Sequence, residues 1–444
     1  MVKRILLRAY KDPFTVASAR RVYRQDLIGD NVGNLLSSNA TYKLLHTSDT
    51  AVTTDTLRAA AGRARQINAA YDHLVLPLAN AFRLTYADAL DQLSALIERV
   101  DLPVTVLGVG AQLDLRGSVA RLEPMRASVR RFVSAVLDRS PSIGVSGEST
   151  QRYLRHLGFR DVEVVGCPSA FLAGPGLQVE KSGRRLTRSS RISLNLSPAA
   201  EGLAGVVEAH TQRYSRLHYT AQHRDALGML LARGTSGSAW TGARTALPVT
   251  LAHPLVAGGR SSAFTDPLPW LTHLTGFDFS FGTRIDGALA ALLAGTPAYL
   301  LAADSPALEV ARLYDIPHRT MYRVTDRTDA AALHEEADYS AFNQGLPAHF
   351  ERFAAFLNAH DLHHVYETGE DPNRFDRRAA ATPYPGAVTE APESTATRIL
   401  QRLTQAAALK SQDAAHTRSV RASFPVASIT TGARPAESNR SSAA

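Results

Sequence analysis

A single cysteine, Cys167, stands in the 444 residues, so no disulfide can form within the chain and no zinc site can be built from cysteines. That usage suits a reducing compartment, and a cytoplasmic location is the expectation. No long Lys/Arg block is present either. The net charge of +8 comes mainly from scattered arginines rather than from a basic stripe, which argues against nucleic acid and favours anionic small molecules or sugars as partners. Long apolar runs are missing as well. Only Ile5-Leu6-Leu7 follows the opening Met1-Val2-Lys3-Arg4, too short for a signal-peptide core and better read as a first strand. The longest uncharged stretch, Gly287 to Ala303, is broken by Gly295 and Pro297 into a helix and a strand, so no transmembrane segment is predicted. No internal repeat of solenoid period is found.

What is present is an alternation. Short β-branched or Leu-rich runs at Lys3–Arg8, His73–Leu78, Val104–Val109, Ser142–Val145 and Val162–Val165 read as strands. Between them Gly33–Leu45, Asp55–Ala70, Tyr86–Val100, Arg126–Leu137 and Glu148–Leu157 read as helices, the pattern of a parallel sheet with helices on its faces. After Phe171 the composition turns to Gly, Ser and basic residues, and a new apolar run begins at Ile192, which places a domain boundary between 178 and 192. The second half predicts strands near 192–196, 247–252, 277–281 and 297–302, with helices near 204–217, 222–232, 287–294 and 306–314. Gly234 to Gly242 reads as a loop, and Phe350, Phe353, Ala354, Phe356 and Leu357 line one face of a closing helix over His349–His360. The expected domains are therefore 1–178 and 192–366. Residues 367–444, rich in Pro, Ala, Ser, Thr and Arg, are expected to stay largely disordered, with a helix conceivable only over Thr395–Leu409.

One segment is distinctive: Phe279-Ser280-Phe281-Gly282-Thr283-Arg284-Ile285-Asp286-Gly287, then a small-residue helix and Gly295-Thr296-Pro297. It resembles the signature of the polysaccharide pyruvyl transferase family, which reads Gly-Thr/Ser-Arg-Ile/Leu-His-Gly, a helix of small residues, and Gly-Thr-Pro. Gly29-Asp30-Asn31-Val32-Gly33-Asn34-Leu35-Leu36, Ile143 to Thr150, Val164 to Ser169, Asp304 to Glu309 and Asp315 to His318 agree in order, so the resemblance covers residues 1–365. It implies a GT-B-like α/β fold, two Rossmann-like domains facing each other across a cleft. It also implies transfer of a carboxyvinyl unit from phosphoenolpyruvate to two hydroxyls of a sugar or glycan precursor, giving a ketal and phosphate. Such chemistry requires no metal and no nucleotide cofactor.

Phosphoenolpyruvate carries a phosphate and a carboxylate, and its methylene carbon must be protonated before a hydroxyl attacks. The phosphate and carboxylate call for arginine forks and free N–H groups, and the protonation calls for an acid. By the resemblance, Arg284 is the anion ligand, with a structural ion pair as its plain alternative. Gly282, Thr283 and Gly287 flank it, and Gly29, Asn31 and Asn34 form a turn into a helix that can offer N–H groups. The chain departs from the family at two positions of the cleft: Asp286 stands where the family has His, and Ser146 where it has Arg. Pro306 follows Ser305 where related sequences often have Arg, which is equally a benign first-turn proline. Compensating groups are sought at His253, Arg260, His218 and His223, with Asp286 and His253 as the candidate catalytic pair. Each of these histidines also reads plainly as structural. Cys167 reads as inert packing, and the incomplete glycine fingerprint at Gly108-Val109-Gly110 does not read as a dinucleotide site. Two further outcomes stay open: a catalytically inactive relative that binds a glycan or a protein partner, and a nucleotide-sugar glycosyltransferase, which the signature does not favour.

Overall fold

Four runs of the first half pair in parallel, β1 (Lys3–Arg8), β2 (Thr50–Asp55), β3 (His73–Pro77) and β4 (Val104–Leu107), in the order β2-β1-β3-β4, with β3 and β4 buried on both faces and β2 a partly exposed edge. Sheets covered by helices on both faces select such apolar strands, and every residue of β3 and β4 is buried. The computed structural model that shows this describes residues 2–197, 202–232 and 247–389. A parallel bridge from Val109 to Val145 carries the sheet on to β5 (Ile143–Val145) and β6 (Val162–Val164). Helices Gly33–Leu45, Ala87–Ile97, Arg126–Leu137 and Glu148–His156 cover this lobe.

The second lobe holds β7 (Ile192–Asn195), β8 (Leu217–Ala221), β9 (Ser261–Ala263), β10 (Phe279–Gly282), β11 (Ala298–Ala302), β12 (His318–Thr320) and β13 (Val388–Thr389). They run in the order β12-β11-β10-β7-β8-β9-β13, parallel except for the antiparallel β13–β9 pair. Two parallel α/β lobes in one chain are the GT-B-like arrangement expected.

Several expected elements change. Asp55–Ala70 is no single helix: Thr50–Asp55 is the edge strand β2, and a short 3-10 turn at Ala60–Arg63 leads into a helix at Ala64–Ala70. The strand expected at 247–252 is a turn, and the sheet takes Ser261–Ala263 instead. β8 was hidden between two expected helices, because its five residues alternate too briefly to separate from helical period. The closing helix begins earlier, at Ser340, and runs to Ala359. The Gly234 to Gly242 loop and the Thr395–Leu409 helix lie outside the described residues.

The boundary at 367 also shifts, since residues 367–389 are folded. The Arg374–Ala381 helix sets the Phe375 ring 5.3 Å from Phe14 and 6.0 Å from Tyr42, while Lys43 Nζ pairs with Asp376 at 2.7 Å. One buried aromatic anchor outweighs a composition that is otherwise polar. No described helix is long and apolar enough to cross a membrane.

Polar ties join the lobes. Lys11 and Asp266 form a buried ion pair. Val32 N donates to the Gln222 carbonyl at 3.0 Å and Arg224 N to the Asp30 carbonyl at 2.9 Å. Lys3 Nζ meets Asp361, just past the closing helix, at 2.6 Å.

Candidate functional site

In parallel α/β sheets, ligands gather beyond the carboxyl ends of the strands. β10 ends there at Gly282, with φ +154°, and a Cβ at this position would lie 1.8 Å from the Asn195 carbonyl oxygen of β7. Asn195 then fastens the turn that follows: its carbonyl accepts from Thr283 N at 3.0 Å and its side-chain Oδ1 from Arg284 N at 3.0 Å. Thr283 is buried, its hydroxyl accepting from Ser197 N at 2.6 Å. Gly287 lets the first turn of the Ile285–Leu293 helix approach Gln222 and Asn195, whose amide atoms would lie 2.4 Å and 2.5 Å from an added Cβ. Gly282, Thr283 and Gly287 therefore shape the turn that presents Arg284. Gly282→Ala is expected to destabilise the fold by about 2 kcal/mol through the forced backbone shift, read as a lower urea midpoint.

Arg284 caps that helix and sits at the junction of the lobes. Its Nη2 donates to Asp286 Oδ2 at 3.2 Å, and the same oxygen accepts from Asn31 Nδ2, in the first lobe, at 2.9 Å. Gly33 lies so close that a Cβ there would meet the Asp286 carboxyl at 2.4 Å. Asp286 thus ties Arg284 to the first lobe. The Arg284 side chain keeps 20% of its surface exposed, while its Nε is buried without a partner among the described residues.

The Gly29–Asn34 turn is fixed from within. Gly29 adopts φ +60° against the Tyr10 ring, and Asn34 Nδ2 donates to the carbonyls of Ile28 and Gly29 at 3.0 Å and 2.7 Å. Asn31 Oδ1 accepts from Gly33 N at 3.0 Å. The side chains of Asn31 and Asn34 are engaged in the turn and in the Asp286 contact.

Ser146 is buried at the lobe junction and donates to Glu309 of the second lobe. Glu309 also accepts from Thr150 N at 2.7 Å and from the Thr150 hydroxyl at 2.8 Å, so a carboxylate from one lobe caps the Glu148–His156 helix of the other. Burial pushes the Glu309 carboxyl up, opposed by the Ser146 hydroxyl and the Thr150 donors.

The remaining candidates separate by place. His253 is buried and caps the short Pro254–Ala257 helix, its Nδ1 accepting from Leu255 N at 3.2 Å. Arg260 precedes β9 and donates to the carbonyls of Tyr214 and Ser215 ahead of β8, at the opposite end of the sheet from Arg284. His218 lies within β8. Its Nε2 meets the Ser262 hydroxyl at 2.8 Å, and burial lowers its pKa to about 3. His223 follows β8, beside the Arg284 charge; burial first and that guanidinium second lower it to about 3, and its Nε2 has no partner among the described residues. Burial lifts the Cys167 thiol to about 11, which fits inert packing. No cluster of three or more metal-ligating side chains occurs among the described residues.

Sequence reasoning missed the first lobe's own cations. Arg8 is the last residue of β1; its Nη2 donates to the hydroxyls of Tyr10 and Tyr86 at 3.1 Å and 2.8 Å. Arg83, in the loop after β3, stacks 5.0 Å from the Tyr86 ring centre. Neither has a carboxylate partner among the described residues, in contrast to the many surface ion pairs elsewhere. Burial lowers the Arg83 pKa, and the charges of Arg284 and Arg8 lower it further. Asp304, past the end of β11, lies within range of Arg284, Asp286 and Arg83. The signal that could have found them was position: each lies at or just beyond the carboxyl end of a parallel strand.

These features define an α/β protein of two parallel-sheet lobes with a cation-rich junction between the sheets' carboxyl ends. No family model and no curated protein matches the chain. Among solved structures, it is similar to the glycotransferase of kitacinnamycin, with 14% identity over 82% of this chain and 98% of that one, TM-score 0.37. It is also similar to MnaA of S. aureus in a co-structure with UDP, with 10% identity over 84% and 100%, TM-score 0.40. A third is the UDP-GlcNAc 2-epimerase of Methanocaldococcus jannaschii in complex with UDP-GlcNAc and UDP, with 10% identity over 86% and 100%, TM-score 0.39.

Proposed function

We propose that this chain is a pyruvyl transferase-like enzyme that holds phosphoenolpyruvate, or a closely related small anion, between its lobes and transfers the carboxyvinyl carbon to a sugar diol. The observation that carries the reading is the position of Arg83, which shares the Tyr86 ring with Arg8 and lies within charge range of both Arg8 and Arg284, past the carboxyl ends of β1, β3 and β10. A phosphate and a carboxylate need several fixed guanidinium donors, and two of these three have no carboxylate partner among the described residues. The cation removed by serine at 146 is thereby replaced from the first lobe. The signature segment Gly282 to Gly287 supports the same family and supplies the third arginine.

The test is release of inorganic phosphate from phosphoenolpyruvate when candidate diol sugars are supplied, with isothermal titration of the donor alone alongside. Saturable binding with phosphate release supports the reading. A second reading, a relative that binds without turnover, is favoured by one contact: Asp286, where the family has histidine, bonds to Arg284 and Asn31. Donor binding with no phosphate release from any diol would favour it. No donor binding at millimolar concentration would reject both.

A further inference from the structure

Pyruvyl transfer needs a proton at the donor's methylene carbon, and the histidine that the resemblance places at 286 is absent. Asp286 is engaged on Oδ2 by Arg284 and Asn31. A second carboxyl lies on the adjacent strand end. Gly282 of β10 pairs with Leu300 of β11, so the chain segments carrying Arg284 and Asp304 leave neighbouring strands at the same edge. Asp304 caps the Ser305–Leu313 helix, its Oδ1 accepting from Ala307 N at 2.9 Å. Its Oδ2 has no hydrogen-bond partner among the described residues. The Ser305 hydroxyl donates to the carbonyls of Ala111 and Leu113 at 3.2 Å and 3.0 Å, which holds this corner against the first lobe. The charged groups around Asp304 are Arg284 and Asp286 at the start of the neighbouring helix and Arg83 from the first lobe.

Resting on the pyruvyl transfer reading, we infer that Asp304 is the proton donor of the cleft, carrying its proton on Oδ2 while Oδ1 maintains the helix cap. The π pair of the donor's double bond takes that proton and forms the new C–H bond. A first sugar hydroxyl attacks the resulting cationic carbon, forming a C–O bond, and its proton returns to the Asp304 carboxylate. Phosphate then leaves with the electron pair of its C–O bond. The second hydroxyl closes the ketal, and its proton ends on phosphate. Burial agrees with this role: it pushes the Asp304 carboxyl up, opposed by the Ala307 amide and the guanidiniums and aided by Asp286. An anionic donor seated on Arg83 and Arg284 would offset those guanidiniums and favour the protonated form further.

Asp304→Asn tests this, because asparagine caps a helix as well as aspartate does while carrying no transferable proton. Expected in the wild type is phosphate release that declines as pH rises through the carboxyl's titration. Expected in Asp304→Asn is a loss of kcat of about 10²-fold or more with donor affinity unchanged by titration calorimetry. The infrared difference between the two proteins at neutral pH, measured without donor, should contain the carbonyl stretch of a protonated carboxyl. An Asp304→Asn enzyme that turns over at the wild-type rate overturns the assignment and leaves the pyruvyl reading standing. A missing carboxyl band overturns it as well. Failure of the wild type to bind phosphoenolpyruvate would instead sink the reading on which the assignment rests.

Discussion

Arg284→Ala is expected to weaken phosphoenolpyruvate binding by about 10²-fold, while Asp286→Asn strengthens it. Hydrogen bonds to charged groups are each worth about 1.5–3 kcal/mol, so losing a two-pronged guanidinium contact removes roughly 3 kcal/mol, a factor of about 10². The alanine variant also strips Asp286 of its cation and leaves that carboxylate facing the donor. Asp286→Asn has the opposite sign because it removes a negative charge beside the anion while keeping an oxygen for Asn31. Titration calorimetry at low and high salt measures both, and the difference between the variants should shrink as salt screens the exposed part of the site. Equal donor affinity in both variants would show that the anion does not bind at Arg284.

Glu309→Ala is expected to destabilise the fold by about 3 kcal/mol, since it leaves both Thr150 donors buried without their acceptor, each unsatisfied group costing about 1–3 kcal/mol, while the Ser146 hydroxyl keeps the Val109 carbonyl at 3.3 Å. The removed cost of burying a carboxylate offsets part of the sum. Glu309→Gln keeps one acceptor oxygen and should lose less. The pH dependence has a fixed sign. Burial raises the Glu309 carboxyl, so the folded chain binds this proton more tightly than the unfolded chain does. Its contribution to stability is therefore full below the ordinary carboxylate range and is lost as pH rises through the raised value. Glu309→Gln should flatten that slope, as urea midpoints across pH would record. An alanine variant with the parent's midpoint would mean the junction contributes no stability.

This contact also decides what an arginine placed at 146 would do. A guanidinium at 146 would enter a buried space where the hydroxyl now meets Glu309 and where the Ser146 oxygen lies 2.9 Å from a Cβ position at Gly110. Serine at 146 suits the junction rather than the donor.

The alternation of β-branched runs and helical periods placed β1 and the Gly33–Leu45 and Arg126–Leu137 helices at their observed bounds. Where it failed, the elements were short or held by distant partners. β9 and β12 have three residues each, fewer than a period can register, and the helix at Arg374–Ala381 depends on Phe375 meeting Phe14 and Tyr42. The site was legible only in its contiguous part. Gly282 to Gly287 is contiguous in the chain, so its resemblance to a family signature pointed to Arg284 and its neighbours.

The sequence by itself determined the α/β class, because apolar period acts over a few residues, and it pointed to the segment around Arg284 through a contiguous resemblance. The tertiary structure decided which side chains meet at the lobe junction. It set Arg83 within charge range of both Arg8 and Arg284, left one oxygen of Asp304 without a hydrogen-bond partner among the described residues, and gave Ser146 to a glutamate 163 residues away in the chain. Charge and hydrogen bonding act through space, and only folding sets the distances on which they depend.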